Sequence, residues 1–309
     1  MQTILGANGT ISYYTAKALT QFTKEIRLVS RKPNLINEGD ELFAADLTHA
    51  QQAMDAIKGS EVVYLLLGVP YDLAIWKRDW PLIMTNVLNA CKAHNAKLVF
   101  LDNVYALGRT NSWMTEETPF NPCSHKGEIR AQIAQQLLSE SAAGNIDALI
   151  ARSADFYGPK TPNSFVSAMI FERFAKGKSA QWMVDDTTKH SFTYTPDAGL
   201  ACAILGNTPS AFNQTWNLPT HKDVFTGKEF IQYAAMATPC TANHQVLSPW
   251  MLKMAAWFNP LVKENMEMLY QFEQDYLFSS QKFELAFRFE PSSYKRGILD
   301  TANAAIKGI

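Results

Sequence analysis

The sequence predicts an α/β protein built on a Rossmann-type, doubly wound parallel sheet, with a smaller C-terminal α+β portion. In the first half of the chain, short apolar runs alternate with amphipathic segments, the order expected when helices cover both faces of a parallel sheet. A glycine turn, Gly6 to Gly9, also follows the first apolar run directly. Beyond Gly158 and Pro159 the rhythm changes, because apolar runs become rarer and helical patterns dominate.

The elements predicted for the first half follow this alternation. The strands are short aliphatic runs, in order Thr3–Leu5, Ile26–Val29, Leu42–Ala44, Val62–Leu67, Leu98–Leu101 and Ala148–Ala151. The helices predicted between them are Ile11–Phe22, Ala50–Ile57, Leu73–His94 and Gly127–Ser141. Because Pro81 lies inside the third of these helices, a kink or a restart is expected there.

The second half is expected to be more helical. Its predicted elements are the helices Phe165–Ala175 and Asp197–Leu205 and the short strands Ser191–Tyr194 and Thr215–Leu218. We therefore expect a Rossmann domain over residues 1–160, with a returning segment near 190–218, and a substrate-binding portion over residues 161–309. The aromatic segment Trp250–Phe278 is interpreted as packing of this second domain or as a wall over a pocket.

Composition and charge argue for a small-molecule ligand. The 309 residues carry a formal charge of −1 with dispersed Lys and Arg, so neither nucleic acid nor a membrane is an expected partner. The N-terminal stretch MQTILGANG enters an apolar strand directly, which favours a cytoplasmic protein. No C-x-x-C spacing or histidine cluster is present, so free thiols and no metal site are expected at Cys91, Cys123, Cys202 and Cys240.

The glycine turn indicates a dinucleotide site. The stretch from Leu5 to Ser12, LGANGTIS, lies where a strand ends and a helix begins, the context that a dinucleotide-binding fingerprint requires. Gly6 permits the tight turn, while Gly9 lets backbone N–H groups at the helix N-terminus approach a pyrophosphate. The residues predicted to contact the cofactor here and at the end of the fourth strand are Gly6, Asn8, Gly9, Thr10, Ile11, Leu67 and Gly68.

Two further strand ends bear on the identity of the cofactor. Asp46 and Leu47 follow the third strand, and Asp46 is suited to hold an adenine edge. The second strand ends in Ser30 and Arg31, where an NAD-specific site usually carries a carboxylate for the ribose 2′-hydroxyl. Because an arginine binds a 2′-phosphate through a charge-assisted contact, the sequence favours NADP. The alternative is that Arg31 belongs to a solvated basic turn, in which case NAD is possible.

Together these motifs resemble the extended and atypical short-chain dehydrogenase/reductases, in particular the NAD-dependent epimerase/dehydratase family. The likeness is carried along most of the chain by the stretches GANGTIS, AADL, DNVYALG, RSADFYGP and PDAGLACAIL. It implies a seven-stranded sheet with the cofactor along its C-terminal edge and a smaller domain over the substrate. It also implies that Phe156 and Tyr157 line the cofactor, and that two copies pair through the helices Leu73–His94 and Gly127–Ser141.

The resemblance also identifies changed catalytic positions. The family uses a Ser or Thr at the end of the fifth strand and a Tyr-x-x-x-Lys on the next helix. In this chain Leu101 stands at the Ser/Thr position, Lys126 at the Tyr position and Arg130 at the Lys position. Arg130 is therefore expected to bind the cofactor ribose and Lys126 to donate a proton to a carbonyl or enolate oxygen, unless both only bind cofactor or face solvent.

Asp102 and Tyr105 complete the predicted catalytic residues. Asp102 matches the first acid of the pair found in the family's sugar-nucleotide dehydratases, whereas Asn103 does not match the second. Asp102 is thus expected either to shuttle a proton or only to organise the turn. The resemblance brings the hydroxyls of Tyr105 and Tyr157 towards the nicotinamide, where either could replace the missing tyrosine.

Three functions are compatible with these residues. The first is an NADP-dependent oxidoreductase on a small carbonyl or enoyl substrate, with the proton supplied by Lys126 or a tyrosine. The second is an epimerase or dehydratase of nucleotide sugars, which the changed catalytic positions disfavour. The third is a non-catalytic sensor of cofactor state, which the aromatic C-terminal portion disfavours because a pocket cover suggests a substrate. The sequence favours the oxidoreductase.

Overall fold

In the computed structural model, residues 1–239 and 241–308 are described, and the chain divides into two compact units. The first unit comprises Met1–Ala106, His125–Ser153 and Pro196–Leu218. The second comprises Leu107–Ser124, Ala154–Thr195 and Pro219–Ile309. The glycine turn and the residues at the changed catalytic positions belong to the first unit, whereas most of RSADFYGP belongs to the second.

The strands follow the predicted aliphatic runs. They are, in chain order, β1 (Gln2–Leu5), β2 (Ile26–Ser30), β3 (Glu41–Ala44), β4 (Val62–Leu65), β5 (Lys97–Asn103), β6 (Ala148–Ser153), β7 (Asp155–Tyr157), β8 (Ala180–Met183), β9 (Phe192–Tyr194), β10 (Thr215–Asn217) and β11 (His244–Leu247). β1 and β4 are buried along their whole length, as near-continuous apolar runs in a parallel sheet should be.

A seven-stranded parallel sheet organises the first unit. Its strand order is β10-β6-β5-β4-β1-β2-β3, and Leu5 at the end of β1 pairs with Val29 on one side and Leu65 on the other. The chain thus leaves β1 towards β2 and β3, then crosses to β4 on the opposite side. This reversal next to β1 is the switch point at which doubly wound sheets bind ligands, and the predicted fold class is confirmed.

Helices connect these strands and also occur in the second unit. In chain order they are α1 (Thr10–Leu19), α2 (Ala50–Ile57), α3 (Leu73–His94), α4 (His125–Ala142), α5 (Glu172–Ala175), α6 (Thr195–Gly206), α7 (Gly227–Met236), α8 (Pro249–Ala256), α9 (Pro260–Asn265), α10 (Gln281–Phe287) and α11 (Tyr294–Lys307). A π-helical turn, Ser167–Phe171, precedes α5 inside the predicted helix Phe165–Ala175, and 3₁₀ turns span Tyr105–Leu107, Pro209–Ala211 and Met266–Phe272.

The restart predicted at Pro81 does not occur. α3 runs through the proline without interruption and is capped at its start by Asp72, whose carboxylate accepts a hydrogen bond from Ile75 N. Trp76 and Trp80 before the proline and Met84 after it are all buried. Packing on both sides of Pro81 therefore offsets the backbone hydrogen bond that a proline removes.

The second unit has its own core, built largely from aromatic side chains. β7 and β9 form one parallel pair, and β8 and β11 form another. Buried aromatic members of the core include Tyr157, Phe171, Phe174, Trp182, Phe192, Phe230, Phe272 and Tyr294. The predicted strand Ser191–Tyr194 therefore exists as β9 but pairs with β7, whereas Thr215–Leu218 returns to the seven-stranded sheet as β10 beside β6.

None of the helices within residues 1–239 and 241–308 has the length and hydropathy needed to cross a bilayer.

The described cysteines carry free thiols. Cys91 and Cys202 are buried, and burial raises the pKa of both thiols, whereas Cys123 is exposed. Cys240, for which a free thiol was also expected, lies outside the described residues. In the described part of the chain, no group of three His, Cys, Asp or Glu side chains is placed to hold a metal ion.

Candidate functional site

Gly6 is required by a close approach between the first turn and the end of β4. Its φ is +94°, and a Cβ built on it would lie 2.6 Å from the Cα of Leu67. The turn is tied down by Gly6 N, which donates to Val29 O, and by the Ser12 hydroxyl, which donates to Gly6 O at 2.8 Å. Gly6, Ser12 and Leu67 thus determine the shape of the turn within the folded chain.

Gly9 differs from Gly6 because nothing in the protein demands a glycine there. It has an ordinary φ of −80°, and a Cβ would meet its nearest neighbour, Gly6 O, at 3.4 Å. Gly9 is exposed and forms the N-cap of α1, and as a glycine it brings no side chain that could cap the helix. A glycine that leaves room in front of a helix N-terminus fits a pyrophosphate.

Asn8 joins the glycine turn to the segment after β2. Its side-chain amide donates to Lys32 O at 2.8 Å, and its carbonyl oxygen accepts from Asn34 N at 3.2 Å. The Ser30 hydroxyl accepts from Lys32 N, which closes a short turn around Arg31. The backbone at Arg31, whose side chain is exposed, is therefore held next to the glycine turn.

Asp46 is held as a carboxylate at the end of β3. Hydrogen bonds from the Thr48 hydroxyl, at 2.7 Å, and from Thr48 N keep the pKa of Asp46 below its usual range, with smaller contributions from the charges of His49 and Arg31. Arg31 and Asp46 are thus within electrostatic range of each other. The next residue, Leu47, is buried, and its carbonyl accepts from the side chain of Asn86.

A buried ion pair joins the end of β5 to α4. Arg130 approaches the Asp102 carboxylate with Nη2 at 2.6 Å and Nε at 2.7 Å from Oδ1, and Nη2 also donates to Leu101 O at 3.0 Å. Asn103 N donates to the same carboxylate oxygen. Both charged side chains are almost fully buried, so the pair is shielded from competing water.

Aromatic rings surround the cations at the changed catalytic positions. The Arg130 guanidinium lies 4.5 Å from the ring centroid of Trp80 and 4.9 Å from that of Phe100. The buried Lys126 ammonium, one turn earlier on α4, lies 4.7 Å from the ring centroid of Tyr71. Such cation–π contacts hold the two cations in place on the inner face of α4.

The geometry limits what Arg130 and Asp102 can offer to a ligand. Among the described residues, Nη1 is the one guanidinium nitrogen of Arg130 that no protein acceptor engages, and Asp102 Oδ2 is likewise left without a protein partner. The predicted ribose contact of Arg130 and the predicted proton transfer by Asp102 would have to use these two atoms.

The predicted tyrosines lie in different units. Tyr105, in the first unit, stacks on Trp76 with a ring separation of 6.4 Å. Tyr157, in the second, is buried in the aromatic core and stacks on Tyr294 at 5.5 Å. The Tyr157 ring is thus part of the core of the second unit. Its cofactor contact, and that of the half-buried Phe156, stay predictions.

A buried carboxylate–imidazole pair in the second unit was not anticipated. His190 Nε2 lies 2.9 Å from Asp155 Oδ2, and the imidazole is sandwiched between Phe192 and Phe272, each at 4.6 Å. The sequence places Asp155 and His190 35 residues apart. Only the parallel pairing of β7 with β9, which sets Asp155 opposite Phe192, brings them together, so recognising that pairing was the missing signal.

Comparison with protein families gives one match. The model of the NAD dependent epimerase/dehydratase family matches residues 3–218, a range that contains the glycine turn, Lys126 and the Asp102–Arg130 pair. No curated protein sequence matches the chain.

The chain is also similar to solved structures over nearly its whole length. UDP-glucose 4-epimerase from Thermus thermophilus, in complex with NAD, has a TM-score of 0.80 at 17% identity, covering 100% of both chains. UDP-glucuronic acid 4-epimerase from Bacillus cereus, in complex with NAD, has 0.79 at 16%, covering 99% of both. UDP-glucose 4-epimerase from Thermotoga maritima, with UDP-glucose, has 0.81 at 16%, covering 100% of this chain and 99% of that one. At these identities the likeness shows the fold.

The same substitution should destabilise the protein at Gly6 and leave its stability almost unchanged at Gly9. Gly6→Ala should lower the free energy of unfolding by about 2–6 kcal/mol, because it combines backbone strain with a clash against Leu67. Gly9→Ala should change it by less than about 0.5 kcal/mol. Urea unfolding measures both, and equal losses would contradict the assigned cause.

Removing only one partner of the buried Asp102–Arg130 pair should destabilise the folded protein. Arg130→Met should lower the free energy of unfolding by about 3–5 kcal/mol, because it leaves the Asp102 carboxylate buried without its cation. Adding Asp102→Leu should recover part of that loss. As a control, Arg296→Met removes an exposed cation paired with Asp300 and should have little effect. A double variant no more stable than Arg130→Met would refute the pairing argument.

Proposed function

Because the chain belongs to the NAD-dependent epimerase/dehydratase family, whose model covers most of its length, we propose that it is an NADP-dependent oxidoreductase of atypical short-chain dehydrogenase/reductase type. The substrate class that we propose is a small carbonyl or enoyl compound. The observation that carries the proposal is the exposed Gly9 at the N-cap of α1, where the packing of the protein does not itself require a glycine.

The pyrophosphate would lie against this helix N-terminus. Backbone N–H groups of the first turn of α1 would donate to its oxygens, and the helix dipole adds to the attraction. Gly6, which is packed against Leu67, maintains the turn, and Asn8 holds it to the segment after β2. Asp46, whose pKa is lowered by its hydrogen bonds with Thr48, would accept from an adenine amine.

The preference for NADP over NAD depends on Arg31. The residue follows β2 directly and its side chain is exposed, so the guanidinium is free to meet a 2′-phosphate. The charge of Arg31 already acts on Asp46, which supports a location beside the adenosine end of the site. A carboxylate that would accept from a 2′-hydroxyl is missing from Val29 to Lys32.

Lys126 is the residue to which we assign proton donation. It occupies the first turn of α4, and the face of Tyr71 holds its ammonium. An ammonium next to a developing oxyanion both neutralises it and can donate a proton to it. The hydride comes from the nicotinamide when the cofactor is bound.

Asp102 and Arg130 are assigned a positioning role in this proposal. Arg130 follows Lys126 by one helical turn, so the two cations share a face of α4. The contacts of Arg130 with Asp102, Leu101 O and the rings of Trp80 and Phe100 fix that face against β5. Lys126 therefore has a defined location, although the residue that usually orients the family's tyrosine has been replaced.

A nucleotide-sugar epimerase is the second candidate, because epimerases of that class share the fold. Such a reaction takes a proton from a sugar hydroxyl and returns it, which requires a competent base next to the nicotinamide. With Leu101 and Lys126 at the Ser/Thr and Tyr positions, the first unit does not supply the usual base. We therefore rank the epimerase below the oxidoreductase.

The reaction class can be tested by following NADPH oxidation with a panel of small ketones, aldehydes and enoyl compounds. We expect turnover with at least one of them, and Lys126→Met should lower kcat by about 100-fold or more while NADPH still binds. Conversion of UDP-glucose to UDP-galactose in the presence of NAD⁺ or NADP⁺, without net reduction of that cofactor, would assign the epimerase instead. NADPH binding without either reaction would favour a sensor.

Cofactor selection is tested by calorimetric titration with NADPH and NADH. Arg31→Ala should weaken NADPH binding by roughly tenfold or more, because a charge-assisted contact to the 2′-phosphate is lost. NADH, which lacks that phosphate, is the internal control and should bind with unchanged affinity. If both cofactors bind the variant as they bind the unchanged protein, Arg31 belongs to a solvated turn.

A further inference from the structure

The second unit exposes a concentrated group of large apolar side chains on α8 and α9. We call this group the α8–α9 patch, and its members are Trp250 (64% exposed), Met254 (56%), Trp257 (85%), Phe258 (86%) and Leu261 (60%). Scattered exposed apolar residues are normal on soluble proteins, but two adjacent aromatic residues at this exposure within one short hairpin are not. The patch therefore calls for something that covers it.

The exposure follows from ordered local structure. Both helices begin with a proline, at Pro249 and Pro260, and the Asn259 side chain caps α9 by accepting from two backbone N–H groups. Within α8 only Leu252 is buried, and within α9 no residue is. The hairpin thus holds Trp257 and Phe258 at its tip, pointing away from the core of the second unit.

The charged residues nearest to the aromatic tip along the chain, and those that line the groove beside it, are lysines. From Phe230 to Lys263 the sequence contains no Asp or Glu, and the exposed Lys253 and Lys263 flank the aromatic tip. The same two lysines, with Met254, Trp257, Phe258 and Met266, line an apolar groove of about 790 Å³. The groove therefore combines the aromatic tip with two lysines, while the nearest acid along the chain, Glu264, follows Lys263 on α9 and is not among the groove residues.

We propose that the α8–α9 patch docks the protein on an anionic lipid surface. Trp, Phe and Leu on one side of a short helical element, flanked by lysines, is the pattern of interfacial membrane contacts, in which rings enter the headgroup region and ammonium groups meet lipid phosphates. A protein partner fits less well, because protein interfaces favour arginine and are depleted in lysine, and no arginine lies between Arg173 and Arg288.

Net charge alone had argued against a membrane partner. The chain as a whole carries −1, but that sum averages the acid-free stretch before Lys263 with acidic regions elsewhere. Docking of this kind needs only the rings of the tip and the two lysines within reach of the headgroups. No helix has to span the bilayer.

Sedimentation with vesicles tests the proposal on the intact protein. We expect binding to vesicles of phosphatidylcholine mixed with phosphatidylglycerol, and a loss of at least about tenfold in affinity for Trp257→Ser/Phe258→Ser. The matched control is Met236→Ser/Leu285→Ser, which removes apolar side chains of similar exposure, 79% and 73%, from other helices of the second unit and should bind normally. Lys253→Gln/Lys263→Gln should abolish the preference for anionic vesicles and the sensitivity to salt.

Fluorescence supplies a second, independent measurement. Brominated lipids should quench the tryptophan emission of the unchanged protein, and Trp250→Phe/Trp257→Phe, which keeps aromatic rings in the patch, should remove most of that quenching. Failure of the unchanged protein to bind anionic vesicles would overturn the proposal. So would a concentration-dependent dimer that Trp257→Ser/Phe258→Ser abolishes, because it would assign the patch to a second copy of the chain.

Discussion

The buried ion pair between Asp102 and Arg130 is the contact on which the candidate catalytic region depends. A charge removed from water is tolerated only where an opposite charge and further polar contacts compensate it, and here Leu101 O, Asn103 N and two aromatic rings complete that environment. The pair fastens the carboxyl end of β5 to α4. Because Lys126 precedes Arg130 by one turn, the position of its ammonium is determined by the same contact.

Two cations on one helix face would repel each other if nothing intervened. Two different contacts reduce this repulsion. The Asp102 carboxylate neutralises the Arg130 guanidinium, and the face of the Tyr71 ring attracts the Lys126 ammonium. The result is a region that presents a positive charge where the family has a phenol. Such a region is better suited to stabilising a negative oxygen than to removing a proton from an alcohol, which is why reduction fits it better than epimerisation.

The sequence was sufficient for features whose cause is local. The aliphatic runs of β1 to β6 and the strained turn at Gly6 follow from strand periodicity and backbone sterics, and both were predicted. The sequence was not sufficient to predict features whose cause lies in packing. The continuity of α3 through Pro81 depends on buried tryptophans and Met84. The Asp155–His190 pair depends on the alignment of β7 with β9, which a sequence separation of 35 residues conceals.

The same distinction explains why averages over a chain can mislead about its surface. A net charge of −1 describes the field felt at a distance, where contributions of both signs add and salt screens them. A ligand or a lipid headgroup in contact with the protein responds instead to the few charges within a Debye length. Around Trp257 and Phe258 the nearest charges along the chain are those of Lys253 and Lys263, so the groove beside the tip is lined by aromatic rings and ammonium groups although the molecule as a whole carries −1.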